Sequence, residues 1–462
     1  MRYDVAIIGA GADGLAAAAL LARAGRTVVV LERAPHAGGR CVTSEFAPGF
    51  LASPYADTVA APPAALLPLL GLGGLLEDFA PVGADIVRRR GRALARVLEE
   101  ALAPAPQGFW QQLKAHLLAP PPRPWPGADW ADQSITALRA HAGQNDWRTA
   151  LAGRSTDPEL AGSALTLFAA PQSRVRRGGL GAIGAALQAR ALQAGAELLL
   201  GNEVAEILLS RGGACGLALG DGTRLEASAV LSTLDLKRTF LALFRWSDLT
   251  PALLQAAGGW RMGAGRARLL LALDAPPGFT RPFFVPGGDN ARSQLRHGVL
   301  PELPPMLVDP VSVRDPSLAP PGRAVLTLTL STIPARLFDG DWSQAKREML
   351  LARALARLEP LNLPPLRAAA TIVPPDMEEA LGLTGGDLDG GELAPDQMLA
   401  FRPAARTSVP GLYLAGPSTA AGPLGLGVAG LTAALALMAD LSARNDGQAE
   451  RLAMRPKKWW PA

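Results

Sequence analysis

Val5-Ala6-Ile7-Ile8-Gly9-Ala10-Gly11-Ala12-Asp13-Gly14 is the stretch on which the fold turns. Four apolar residues read as a buried strand, GAGADG as a tight glycine-rich turn, and the alanine-rich run to Ala24 as a helix. Val28-Val29-Val30-Leu31-Glu32 then returns as a second strand, which completes a βαβ unit. Within the turn, Gly9 permits the sharp exit from the strand, Gly11 lets backbone approach a pyrophosphate, and Gly14 lets the helix pack closely on the sheet. Asp13 stands in the same turn and is counted with them. The amides at the helix N-terminus suit an anion. Glu32 follows Gly14 by 18 residues, where a carboxylate accepts hydrogen bonds from ribose hydroxyls and disfavours a 2′-phosphate. Strand, turn, helix and acid together predict a dinucleotide site in a Rossmann-type α/β domain.

Beyond Gly178 a second alanine-rich helix runs through Ala194, with Gly195 as its stop, and strands follow at Glu197–Leu200 and Val204–Leu209. Asp221-Gly222 between Ala214–Leu219 and Ala229–Ser232 is a hairpin signal. Ala267–Leu273 and Ala324–Leu330 read as strands of a middle region. Gly411–Gly416 reads as a strand leading through a glycine-rich turn into a helix from about Gly427 to Leu441. The expected division is a discontinuous dinucleotide domain of 1–75, 176–240 and 391–445. An α+β substrate domain takes 76–175 and 241–390, and 446–462 is a C-terminal tail. A proline-rich break, Ala103–Pro126, falls on the substrate side.

The 462 residues exceed what one hydrophobic core usually organises, so two domains or one domain carrying large insertions are expected. The net charge of +4 is spread over many arginines with no long basic run, so no nucleic-acid partner is expected. Cys41 and Cys215 lie far apart, and the four histidines, His36, His116, His141 and His297, show no metal or triad spacing. No metal is expected, and no nucleophile elbow supports a hydrolase. Met1-Arg2-Tyr3-Asp4 runs straight into the first strand, leaving no room for a leader, and the apolar stretch Leu424–Met438 is too short for a bilayer. The reading is a cytoplasmic chain. Its tail, Arg455-Pro456-Lys457-Lys458-Trp459-Trp460, pairs cations with indoles and suits peripheral contact with a membrane surface.

The run Glu32-Arg33-Ala34-Pro35-His36-Ala37-Gly38-Gly39-Arg40 resembles the ERxxxxGGR continuation of the amine oxidase and phytoene desaturase superfamily. The resemblance implies FAD, with Arg33, Gly38, Gly39 and Arg40 along the cofactor. The segment from Arg176 to Ile207 resembles the family segment that brings a valine backbone, here Val204, to the adenine. The segment from Gly411 to Ala434 resembles the closing motif over the ribityl chain and flavin, which implicates Gly416, Gly425, Leu426, Gly427 and Val428. Ser312–Leu326 and Leu381–Pro403 look like the phytoene desaturase-type branch that includes pyridine nucleotide-disulfide oxidoreductase domain-containing proteins. Where that branch commonly reads GGxxxHGE, this chain has Gly390 for the histidine. Its closing motif reads Thr419-Ala420-Ala421-Gly422-Pro423 in place of His-Pro-Gly-Gly-Gly.

The resemblance implies a desaturase or dehydrogenase that passes a hydride from a small apolar, isoprenoid- or polyene-like substrate to flavin N5, with a quinone or oxygen as electron acceptor. A flavin amine or amino-acid oxidase, or a non-catalytic flavin-binding protein, would carry the same cofactor motifs. No catalytic acid or base is identified, because the cofactor performs the hard step in such enzymes. Three residues are candidates for the pocket: Tyr55 in Ser53-Pro54-Tyr55-Ala56-Asp57, Trp260 beside Arg261, and Arg402 beside Phe401.

Overall fold

The computed structural model describes residues 2–78 and 172–445, apart from 211–212, 264, 289, 393–396 and 398–400. The proline-rich break, His116, His141 and the tail from Arg455 to Trp460 lie outside the described residues.

The opening apolar runs form the centre of a seven-stranded sheet. Its order is Glu197–Leu200, Val28–Glu32, Arg2–Ile8, Arg224–Ser232, Gly213–Leu219 and Val204–Ser210, with Leu412–Leu414 also beside Arg224–Ser232. The first four strands are mutually parallel, and Leu412–Leu414 joins them in parallel. Gly213–Leu219 is antiparallel to both its neighbours, and the predicted hairpin closes at Asp221-Gly222, where Thr223 N–H donates to Asp221 Oδ1 at 2.9 Å.

Burial on both faces explains why the central strands are apolar throughout. Val5, Ile7, Val28 and Val30 pack against Leu15, Leu187 and Leu431 of the helices Ala12–Arg23, Gly181–Gln193 and Val428–Asn445. Ala6, Ile8, Val29 and Leu31 face the other way, toward Phe240, Leu253 and Trp260. The run 241–260, which the sequence reading gives to the substrate domain, therefore packs in the core of the dinucleotide sheet.

The middle region forms an antiparallel five-stranded sheet in the order Phe283–Val285, Met306–Asp309, Ala324–Ile333, Gly265–Leu273 and Leu366–Ile372. Leu269, Leu271, Leu326 and Leu328 on one face meet Leu350 and Ala354 of the helix Gln344–Ala356. The opposite face, with Leu270, Ala272 and Val325, meets Ala47, Phe50 and Ala52. Those three belong to the hairpin Ser44–Ala47/Phe50–Ala52, which follows the Gly38-Gly39-Arg40 motif. The middle sheet thus lies on the chain segment that leads out of the dinucleotide turn. A small third sheet joins Val59–Ala60, Gln172–Val175 and Leu76–Asp78. The result is the expected α/β domain with an α+β partner.

Candidate functional site

The turn after Arg2–Ile8 is built by exclusion of side chains. Gly9 has φ +98°, and its amide donates to Leu31 O at 2.8 Å. A Cβ at Gly14 would lie 2.0 Å from Gly9 O, so the helix could not close on the turn with any other residue. Gly11 is different, because a Cβ there would meet no heavy atom within 4 Å. It opens the helix Ala12–Arg23 with no side-chain cap. Unfilled space beside uncapped helix amides is what a diphosphate requires, and the residues present fit that group.

Glu32 is held on the same turn. Its Oε2 accepts from Ala10 N–H and its Oε1 from Ala34 N–H, both at 2.9 Å. Each oxygen keeps a second lone pair for a ribose hydroxyl. The backbone carbonyl of Glu32 accepts from Asn202 N–H at 2.8 Å, two residues before buried Val204. One hydrogen bond thereby brings together the two residues expected on the adenosine side.

Gly38 and Gly39 close onto the fingerprint. Gly38 N–H donates to Ala10 O at 2.8 Å, and a Cβ on Gly39 would sit 3.0 Å from Gly11 Cα. Both have positive φ, +119° and +56°. Arg40 reaches Leu388 O at 3.5 Å. Asp13 Oδ1 accepts from Gly430 N–H at 3.2 Å, at the start of the helix Val428–Asn445, so this acid joins the first helix to the last. Burial pushes the Asp13 carboxyl up to about 6, against the opposing pull of the Gly430 amide and the Arg40 charge.

The closing motif completes the enclosure. Leu426 N–H donates to Ala60 O at 2.9 Å, and a Cβ on Gly425 would meet Ala61 O at 2.8 Å. Gly416 lies against Thr233 O and Gly427 against Leu70, while Leu426 and Val428 are buried.

Three predicted residues have other partners. Arg33 donates to Glu378 O at 3.3 Å and to Glu379 O, at the C-terminal end of the helix Pro374–Leu381. It ties that helix to the dinucleotide sheet at the end where the helix dipole favours a cation. Arg402 is buried and gives its protons to the carbonyls of Gln397, Asp389, Gly391 and Pro417. Trp260 is buried too, with Nε1 donating to Gly390 O at 3.0 Å. The two residues meet, with the Arg402 guanidinium 5.9 Å from the centroid of the Trp260 ring. Both residues brace the Gly390 loop. Tyr55 remains half-buried, its hydroxyl pushed up by burial and then by the charge of Asp376.

The Gly390 departure has a structural counterpart. Gly390 has φ +66°, a Cβ there would be 2.5 Å from Ser418 N, and its carbonyl also accepts from Ser418 Oγ at 2.6 Å. This loop has no room for a histidine side chain.

Sequence reading missed a buried charge cluster on the middle-sheet face toward the Ser44–Ala52 hairpin. Arg268, with a fully buried side chain, donates to both Asp57 oxygens at 2.6 Å, to Ser53 O at 3.2 Å and to Thr329 Oγ1. Thr327 Oγ1 donates to Asp57 Oδ2 at 2.7 Å, and buried Asp309 adjoins the group. The signal was present in the strand AVLTLTLSTI, where hydroxyls recur at every second residue, and in the cation Arg268 directly before LLLAL.

With this geometry in view, the comparisons are specific. Residues 127–434 match the flavin containing amine oxidoreductase family, and residues 7–64 match an NAD(P)-binding Rossmann-like domain. The chain belongs to the flavin containing amine oxidoreductases. This oxidoreductase uses FAD. It is similar to pyridine nucleotide-disulfide oxidoreductase domain-containing protein 2 of Mus musculus, 26% identical over 550 residues, covering 95% of this chain and 94% of that protein. It is also similar to the neurosporene-forming phytoene desaturase of Rhodobacter capsulatus, 31% identical over 263 residues, 52% of this chain and 49% of that protein. Among solved structures, wild-type putrescine oxidase bound to putrescine shares the fold of this flavoprotein. The TM-score is 0.57 at 17% identity, over 96% of this chain and 100% of that one. An oxidoreductase from Methanosarcina mazei does so at 0.59 and 19%, over 95% and 100%. No helix among the described residues is long and apolar enough to cross a membrane, and none of their His, Cys, Asp and Glu side chains form a group of three able to hold a metal.

Proposed function

We propose that this flavoprotein is a dehydrogenase or desaturase. It removes a hydride and a proton from adjacent carbons of an isoprenoid- or polyene-like substrate and leaves a new double bond. FAD, when bound, supplies the two-electron acceptor at flavin N5. Gly11, the amides of the first helix turn and Glu32 hold the diphosphate and ribose, and the closing motif excludes water. A quinone or oxygen is the final electron acceptor. The tail from Arg455 to Trp460 meets a membrane surface, from which a lipid-soluble substrate is collected.

The observation that carries this reading is the state of Arg268. It is the fully buried cation on the middle-sheet face, and Asp57 already neutralises it through two hydrogen bonds. A substrate carboxylate would have to displace Asp57 from a buried ion pair at a cost of several kcal/mol, about 3–5. That disfavours amino-acid oxidation. The likeness to a phytoene desaturase over half of the chain supports the same class.

The test starts from the holoprotein, whose flavin is photoreduced without oxygen and then mixed with oxygenated buffer. Reduced flavin that persists for minutes and is reoxidised by quinones supports the proposal, and reduction by a polyene then narrows the substrate. Reoxidation within seconds, accompanied by turnover of amines with release of peroxide, overturns it in favour of amine oxidation.

A further inference from the structure

Two buried polar atoms in the charge cluster have no hydrogen-bond partner among the described residues, and they are complementary. One is Arg268 Nε, a donor, and the other is Asp309 Oδ1, an acceptor. Asp309 ends the strand Met306–Asp309, is 1% exposed, and pairs across the sheet with Thr327. Thr327 Oγ1 donates to Asp57 Oδ2 at 2.7 Å and lies 3.3 Å from the backbone carbonyl of Asp309. The charged groups facing Asp309 are Asp57 from the Ser53–Asp57 loop, Arg268 from its own sheet and Arg174 from the strand Gln172–Val175. Arg174 is paired with Glu77 at 2.6 Å. Asp57 and Asp309 are thus two carboxyls beside Arg268, while Arg174 is also engaged by Glu77.

We propose that Asp57, Arg268 and Asp309 form a proton-controlled clamp that positions the Ser53–Asp57 loop on the middle sheet. That loop carries Tyr55 and is gripped from both sides. Arg268 binds Ser53 O and both oxygens of Asp57, and Ser53 Oγ accepts Leu180 N–H at 2.8 Å from the start of a dinucleotide-domain helix. With Asp309 neutral, the guanidinium face toward Asp57 is undivided. With Asp309 ionised, its open oxygen is drawn to the open Nε–H, two carboxylates share one buried cation, and the loop loses part of its anchor. Burial first, and then the charge of Asp57, raises the Asp309 carboxyl to about 7, while Arg174 and Arg268 oppose the shift. The exchange between the two arrangements thus falls at neutral pH. It concerns loop position and is independent of which substrate the enzyme takes.

Hydrogen exchange of the peptide spanning 53–57, read by mass spectrometry on the holoprotein at about pH 6 and about pH 8, tests the clamp. After correction for the intrinsic pH dependence of exchange, wild-type protection is expected to fall about tenfold with a midpoint near pH 7. Asp309→Asn, isosteric with the neutral acid, is expected to stay protected at both pH values. Asp57→Asn is expected to move the midpoint downward, because the like charge is gone. Flavin content at each pH reports that the proteins are folded. Infrared difference spectra of the wild type give a second readout, the loss of one protonated-carboxyl C=O band over the same interval. Protection in the wild type that is level across pH 7, or an undiminished fall in Asp309→Asn, overturns the proposal.

Discussion

The cofactor cradle and the clamp on the middle sheet hold chain segments together with opposite materials. In the cradle, Gly9, Gly11, Gly14, Gly38 and Gly39 come from one short stretch and act through backbone, and Gly38 N–H to Ala10 O is typical of their bonds. In the clamp, Asp57, Arg268, Thr327 and Asp309 come from segments far apart in the chain and act through side chains. A site made of backbone is broken mainly by added carbon, at the fold where glycines pack and at the ligand where they do not. A site made of buried charges is the reverse: a well-packed apolar pair can replace both partners, whereas removal of one strands the other.

The contrast is sharpest at Arg268. Arg268→Ala leaves Asp57 buried and unpaired, and is expected to cost about 3–5 kcal/mol in denaturant unfolding. Asp57→Leu combined with Arg268→Met should recover most of that loss, and a double variant as unstable as the single one would break the comparison. In the cradle, Gly14→Ala forces a Cβ to within 2.0 Å of a carbonyl oxygen and is expected to cost about 3 kcal/mol, with flavin lost on purification. Gly11→Ala faces open space instead, so the apoprotein should melt like the wild type. Its FAD affinity should nevertheless fall by about 1.5–3 kcal/mol, measured by flavin titration, as the methyl blocks hydrogen bonds to a charged diphosphate. Equal melting losses in the two glycine variants would contradict the division between a packing glycine and a ligand-facing one.

Smaller effects are expected in the Gly390 loop. Gly390→His, which writes the common family residue into this chain, should destabilise by about 2 kcal/mol without adding activity, because φ +66° and the Ser418 amide leave no place for a side chain. Trp260→Phe removes the bond to Gly390 O and shrinks a buried indole to a phenyl ring, at a cost of about 1–2 kcal/mol in thermal or denaturant unfolding.

The contact between Trp260 and Arg402 was illegible for the same reason as the missed cluster. In the sequence each stands beside another residue, Trp260 beside Arg261 and Arg402 beside Phe401. In the fold Arg261 pairs with Glu392 at 2.8 Å and Phe401 is exposed, while Trp260 and Arg402 meet each other. Only two of the five middle-sheet strands were legible, since Phe283–Val285 and Met306–Asp309 are too short to show a period and Leu366–Ile372 is half alanine and charge.

The sequence alone determined the βαβ opening, the hairpin at Asp221-Gly222 and the closing strand and helix, and its resemblance to a known family implied FAD. The elements rest on interactions between residues a few positions apart: glycine conformation, short apolar runs and helix periodicity. Tertiary structure alone decided that Arg33 caps a distant helix, that Arg402 braces Trp260, and that Arg268 binds an acid 211 residues away. A buried charge must be paired, but which partner it meets depends on how whole sheets come together to bury their apolar faces, and no local spacing records that.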